Sequence, residues 1–194
     1  SWNDGPSKKS IIEFVQSVTD QTSKDFVKPA ERIAVFDNDG TLWSEQPAYF
    51  ELLFAFDEVK RTAAQHPEWK TTQPFKAVLE NDHKALAATG MDGLLKIVGA
   101  THSGMTTEQF NDYAQTWLMQ ARHPKTGKPY TEMIFQPMLE MLDYLRSEGF
   151  KTYIVSGGDT GFMRAFAEKI YGIPPEQVIG TTFDTSYQFK DGNA

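Results

Sequence analysis

The sequence predicts an α/β fold, a Rossmann-like parallel-sheet core carrying an inserted all-helical lid, and three observations predict it. Two short apolar runs, Ile33-Ala34-Val35-Phe36 and Thr152-Tyr153-Ile154-Val155, each empty into a turn rich in Asp, Ser and Gly, as buried strands do. The helix face of Met138, Leu139, Met141, Leu142 and Leu145 stops at Gly149 just before the second run. A helix from Phe162 to Tyr171 and a strand at Gln177-Val178-Ile179 then complete a β-α-β-α-β alternation. Asp37 and Ser156, closing the first two strands, lie 119 positions apart, although parallel strands joined by one helix need only about 30 residues. A domain is therefore inserted between them.

Taken in order, Ile11, Ile12, Phe14, Val15 and Val18 recur at helical spacing and predict an amphipathic helix from Ser7 to Thr19, with Ser7 as N-cap. The insert carries helical signals over 47–65, 74–88, 91–101 and 107–122, where Thr106 and Gln109 form a capping box. This divides the chain into an α/β core of residues 1–44 and 131–194 and an all-helical domain of residues 45–130. Breaks at Gln46-Pro47 and from His123 to Gly127 are the expected hinges.

Composition removes several classes of function. The 194 residues are 40% hydrophobic, enough to bury a core, with a mean hydropathy of −0.47 that excludes a fibrous chain. A net charge of −7 opposes the basic footprint that nucleic acid requires, so nucleic acid is not an expected partner. The longest mostly apolar run, Tyr49 to Phe56, is interrupted by Glu51 and falls short of the roughly 20 residues that cross a bilayer. With no cysteine there is no disulfide, thiolate metal site or thiol nucleophile. His66, His83, His102 and His123 share no ligand spacing and are expected at the surface.

Asp37-Asn38-Asp39-Gly40-Thr41 holds the first chemical signal. Carboxylates two apart on an extended strand end point the same way, and at the carboxyl end of a parallel strand they sit where open α/β sheets take their ligands. Such a pair divides into a nucleophile or metal ligand and an acid/base. A bare turn is the competing reading. A calcium loop is not: starting from Asp37, Thr41, Leu42 and Ala48 occupy positions that want Asp or Asn, Gly and Glu. In the second turn Ser156, Gly157 and Gly158, with Gly161, lead into a helix N-terminus, whose N–H groups suit a phosphate.

With both motifs in view, the sequence resembles the haloacid dehalogenase-like hydrolase superfamily. The first signature of that family is similar to Val35-Phe36-Asp37-Asn38-Asp39-Gly40-Thr41-Leu42, and the second to Tyr153-Ile154-Val155-Ser156-Gly157-Gly158. The helical insert resembles the cap of the phosphoserine-phosphatase-like branch. The resemblance implies that Asp37 attacks phosphorus to form an aspartyl-phosphate, that Asp39 serves as acid and then base, and that Ser156, Gly157 and Gly158 hold the phosphoryl oxygens. It implies Mg2+ on the Asp37 carboxylate and the Asp39 carbonyl, and a phosphatase rather than a dehalogenase, since dehalogenases do not need the second acid. A phosphotransferase with the same intermediate, or a non-catalytic phosphate-binding relative, stays open.

The family's third motif, a Lys or Arg, and its fourth, an acidic cluster, have no clear counterpart; Lys190, Asp184 and Asp191 read as polar loop residues. In the family later strands flank the nucleophile strand, so a further C-terminal segment is expected. Trp43, Glu45 and Gln46, with Ser44, Tyr49 and Phe50, lead from the nucleophile into the insert and are the substrate-binding candidates. Phosphoserine phosphatases place a glutamate where this chain has Gln46, one position after Glu45. Trp43 and Glu45 suit a cationic substrate, with packing as the rival role for Trp43. Similar secreted bacterial hydrolases point to the periplasm, with the cytoplasm as the alternative.

Overall fold

The computed structural model describes residues 1–183, so Asp184, Lys190 and Asp191 lie outside the described residues. Helix α1 (Pro6–Thr19) starts one residue before its expected cap. Pro6 takes the first helical position, where a missing N–H is no loss, and Gly5 rather than Ser7 is the N-cap. Strand β1 (Ile33–Phe36) follows where its apolar run places it.

The inserted stretch then carries α2 (Phe50–Thr62), α3 (Phe75–Glu80), α4 (His83–Ala88), α5 (Gly90–Thr101) and α6 (Thr107–Gln120). The single helix expected over 74–88 is two. Asn81 ends α3 in the left-handed region at φ 54°, and Asp82 caps α4 by accepting from the N–H groups of Lys84 and Ala85. The capping box forms as expected, Thr106 and Gln109 each satisfying the other's backbone N–H.

After α7 (Gln136–Ser147) come β2 (Lys151–Asp159), α8 (Thr160–Arg164), α9 (Ala167–Tyr171) and β3 (Val178–Thr181). The three strands form one parallel sheet in the order β1-β2-β3, with Phe36 opposite Ile154 and Ile154 opposite Val178. Strand β2 outruns its expected end at Val155. Asp159 pairs with Thr181 after an irregularity in register, so the Ser-Gly-Gly segment stays extended along β3 rather than turning at once.

Two clusters of buried side chains hold the molecule together. In the larger, Leu42, Trp43, Ile154, Phe162 and Val178 from the α/β part pack with Phe50, Phe54, Phe110 and Trp117 from the inserted helices. The smaller lies wholly among the inserted helices, around Ala55, Val59, Trp69, Val78 and Ile97. Helix α2 supplies both, Phe50 and Phe54 to one and Ala55 and Val59 to the other, and is therefore buried on two sides. The chain crossings between the two parts meet at His123, whose Nε2 lies 2.7 Å from the Gln46 carbonyl while its Nδ1 accepts from the N–H groups of Lys125 and Thr126. His123 is buried, contrary to the expected surface placement, because it closes the 123–128 loop from within.

The sheet is covered unevenly. Ile154 is sealed, whereas Ile33, Val35, Val155 and Ile179 on the opposite face are exposed, Val35 by 58%. Among the described residues β1 pairs with β2 alone. No helix is long and apolar enough to cross a membrane among the described residues. Ile154→Ala is expected to lower unfolding free energy by about 2–5 kcal/mol and Val155→Ala, one position along the same strand, by under about 1 kcal/mol. Urea denaturation of the two variants checks the contrast.

Candidate active site

The segment following β1 is tied into a compact knot. The Asn38 carbonyl accepts from the N–H groups of Thr41 and Leu42, at 3.1 and 2.8 Å, and Gly40 N–H donates to the Trp43 carbonyl at 2.9 Å. Gly40 holds φ at +71°, and a Cβ there would meet a Glu45 carboxylate oxygen at 2.9 Å, so glycine is needed both for the turn and for the approach of Glu45. The Asn38 side chain points into the interior and accepts at 3.3 Å from the hydroxyl of Tyr171 on α9. An inward residue between two aspartates sends both of its neighbours toward the strand end. Asp37 is exposed there and Asp39 half-buried.

Trp43 departs from the substrate-contact expectation. Only 1% exposed, it stacks on Phe166 at 4.4 Å, meets the edge of Phe50 at 4.8 Å, and donates its indole N–H to Asp39 Oδ1 at 2.8 Å. It is a core residue that aims the second aspartate. Gln46 is exposed and uses its backbone carbonyl on His123; Glu45, beside Gly40, is the substrate candidate nearest the paired aspartates. Burial raises the Asp39 carboxyl above its usual range, opposed by the Trp43 hydrogen bond and assisted by the charges of Asp37 and Glu45.

The parallel register sets the second motif beside the first. Phe36 is opposite Ile154, so Asp37 leaves β1 at the level where β2 approaches Ser156. Ser156 is half-buried, and its Oγ lies 3.4 Å from the Gly158 N–H. The helix N-terminus expected to await a phosphate is already engaged. Asp159 caps α8 by accepting from Phe162 N–H at 2.7 Å, and its own N–H donates to Glu51 Oε2 at 2.9 Å. The Ser156-Gly157-Gly158 stretch, by contrast, runs extended within β2.

Glu51, Asp159, His102 and Tyr171 belong to this site and were not singled out from the sequence as part of it. Glu51, in the first turn of α2, has its carboxyl pushed up to about 7, chiefly by burial, with the charges of Asp159 and Asp39 adding to it. His102, at the end of α5, has a side chain only 3% exposed, against the surface placement expected for it. It is buried because its ring packs edge-on against Phe54 and tilted over Phe110, and its Nδ1 lies 2.9 Å from the Val98 carbonyl. Two sequence signals pointed this way: a lone charge inside the apolar run from Tyr49 to Phe56, and an aspartate directly before a helix start at Thr160.

The donors present suit a hard divalent cation. The Asp37 carboxylate is exposed, and the Asp39 carbonyl accepts no hydrogen bond among the described residues. No cluster of three or more His, Asp or Glu poised to hold a metal occurs among them, but Mg2+ typically takes one or two carboxylates and completes its shell with water and substrate phosphate.

A family model described as haloacid dehalogenase-like hydrolase matches residues 34–193, which include both strand-end motifs. No curated protein matches the chain. Among solved structures, a phosphoserine phosphohydrolase-like protein from Francisella tularensis subsp. tularensis SCHU S4 is 18% identical with a TM-score of 0.40, over 82% of this chain and 63% of that one. A conserved, functionally unknown protein from Anaerococcus prevotii DSM 20548 is 16% identical with a TM-score of 0.42, over 89% and 67%. The chain thus spans less than two thirds of the first of these proteins. Trp43→Phe removes a donor to the ionised form of Asp39, so the Asp39 titration is expected to move further upward. Carboxyl-carbon NMR of the variant across the acid range checks it.

Proposed function

We propose, because the chain belongs to the haloacid dehalogenase-like hydrolase family, that it is a Mg2+-dependent phosphomonoester hydrolase acting on a small phosphorylated metabolite. The observation that carries this reading is the unequal setting of two neighbouring carboxyls. Asp37 is exposed at the strand end, whereas Asp39 is partly buried, anchored by the Trp43 indole, and raised in proton affinity. Environments that separate two titratable groups separate their roles.

Asp37 attacks phosphorus with one carboxylate oxygen, forming a P–O bond as the bond to the ester oxygen breaks, and Asp39 gives its proton to the departing alkoxide. Asp39, now ionised, takes a proton from water as that water's oxygen attacks the aspartyl-phosphate. The bond to Asp37 breaks, phosphate leaves, and both carboxyls return to their starting states. Ser156 Oγ and the N–H groups of Gly157 and Gly158 hold the phosphoryl oxygens throughout. Mg2+, held by the Asp37 carboxylate and the Asp39 carbonyl, supplies positive charge that offsets repulsion between the phosphate dianion and the nucleophile. Helices α2 to α6 serve as the cap, and Glu45, beside Gly40, faces the substrate's leaving part.

An aryl phosphate with Mg2+ tests the reading. Asp37→Asn is expected to fall to the uncatalysed background, and Asp39→Asn to lose about 10²–10⁴-fold in kcat/KM for alkyl esters. Loss with the aryl ester is expected to be smaller, because its leaving group needs less protonation. Turnover retained by Asp37→Asn rules out the nucleophile. Adding an alcohol acceptor separates hydrolysis from phosphotransfer through the products.

A further inference from the structure

We infer that Glu51, backed by His102, is a positioning residue that shapes the phosphate-gripping stretch of β2, an assignment that rests on the phosphatase reading above. One oxygen of Glu51 accepts the Asp159 N–H at 2.9 Å, and a Cβ on Gly158 would lie 3.1 Å from that same oxygen. The carboxyl therefore lies against the peptide joining Gly158 to Asp159, within two residues of Ser156, while its helix is locked by Phe50 and Phe54 on either side in the sequence. Its other oxygen faces His102 Nε2 at 4.0 Å.

His102 completes the device. Its Nδ1 lies against the Val98 carbonyl, which assigns the ring proton to Nδ1 and leaves a lone pair on Nε2. That atom is buried and has no hydrogen-bond partner among the described residues. An orphaned acceptor facing a carboxyl wants a proton between them. Burial favours the neutral imidazole and the neutral carboxyl alike, so of the two groups Glu51 is the one expected to carry the titrating proton. The groups facing Glu51 are Asp159 at the end of β2, Asp39 after β1 and His102 at the end of α5, with Glu58 on α2 facing His102 from behind.

The chemistry explains why a protonated pair matters. A phosphoryl dianion at Ser156 brings negative charge to the stretch that an ionised Glu51 already flanks. Neutral Glu51 still accepts the Asp159 N–H but no longer repels the ligand. Binding of an oxyanion therefore raises proton uptake by Glu51, and affinity falls as pH rises through the neutral range.

Tungstate, kept dilute enough to stay a monomeric dianion, serves as the probe, measured by calorimetry with Mg2+ on the full chain at one pH below and one pH above neutral. Glu51→Ala is expected to weaken tungstate by about 10-fold or more at the lower pH. Glu51→Gln keeps the carbonyl acceptor without the charge. It is expected to restore the affinity and to bind equally well at both pH values, whereas the wild type weakens severalfold at the higher one. A purely structural residue would show no such rescue and no loss of pH dependence. Wild-type binding with both variants indistinguishable from it overturns the inference and leaves the phosphatase reading standing. Failure of the wild type to bind tungstate or hydrolyse any ester overturns that reading, and the inference with it.

Discussion

Phe50 and Phe54 bury their rings completely against Trp43, Tyr130, Trp117 and Phe162, while Ala55 and Val59, on another side of the same helix, close the smaller cluster. A helix gripped on two sides has neither rotation nor translation left to it, and every residue of its first turn inherits a fixed direction. Glu51 follows Phe50 by one position, about 100° around the axis, and that direction ends at the Gly158–Asp159 peptide. Core packing of the inserted helices therefore fixes a carboxyl against the end of β2. The same packing buries Trp43, whose indole is the donor that aims Asp39.

The site's electrostatics follow from what is buried with it. Asp37, Asp39, Glu45, Glu51 and Asp159 gather around the ends of β1 and β2, and the raised carboxyls of Asp39 and Glu51 show that their mutual repulsion and desolvation are felt. A cluster of this kind is stable only with its charge offset. Burial and neighbouring charges raise the proton affinity of Asp39 and Glu51, which eases that repulsion, and the exposed Asp37 carboxylate suits a hard cation.

Much of this was legible in the sequence, for physical reasons that differ by element. Ile33–Phe36 and the capping box at Thr106 are short-range signals, one of apolar continuity and one of reciprocal hydrogen bonding, and both form where they are written. The break in 74–88 was hidden because Asn81 adopts a left-handed conformation that asparagine tolerates but does not announce. The extension of β2 past Val155 depends on Thr181 pairing with Asp159, a contact no local window contains. Asp37 stands where the apolar run of β1 ends, as read, whereas Ser156, read as closing its strand, lies inside β2. His102 and His123 were read as surface residues because nothing near them in sequence shows Phe54, Phe110 or the Gln46 carbonyl, which are what bury and engage them. Trp43 carried two readings, substrate contact and packing, and only its place against Phe166 decides between them.

Asn38 shows how little sequence such a site requires. Its side chain is pulled inward by Tyr171 and its carbonyl is consumed by the N–H groups that follow, so the loop carrying the two aspartates is fixed by the residue between them. Were the middle residue apolar, burial alone would still turn it inward, but the hydroxyl of Tyr171, buried and needing an acceptor, would lose its partner. The asparagine thus links α9 to the loop that carries Asp37 and Asp39. A site built from one exposed and one half-buried carboxyl depends on keeping that difference, and the Tyr171–Asn38 and Trp43–Asp39 hydrogen bonds are the two contacts that keep it.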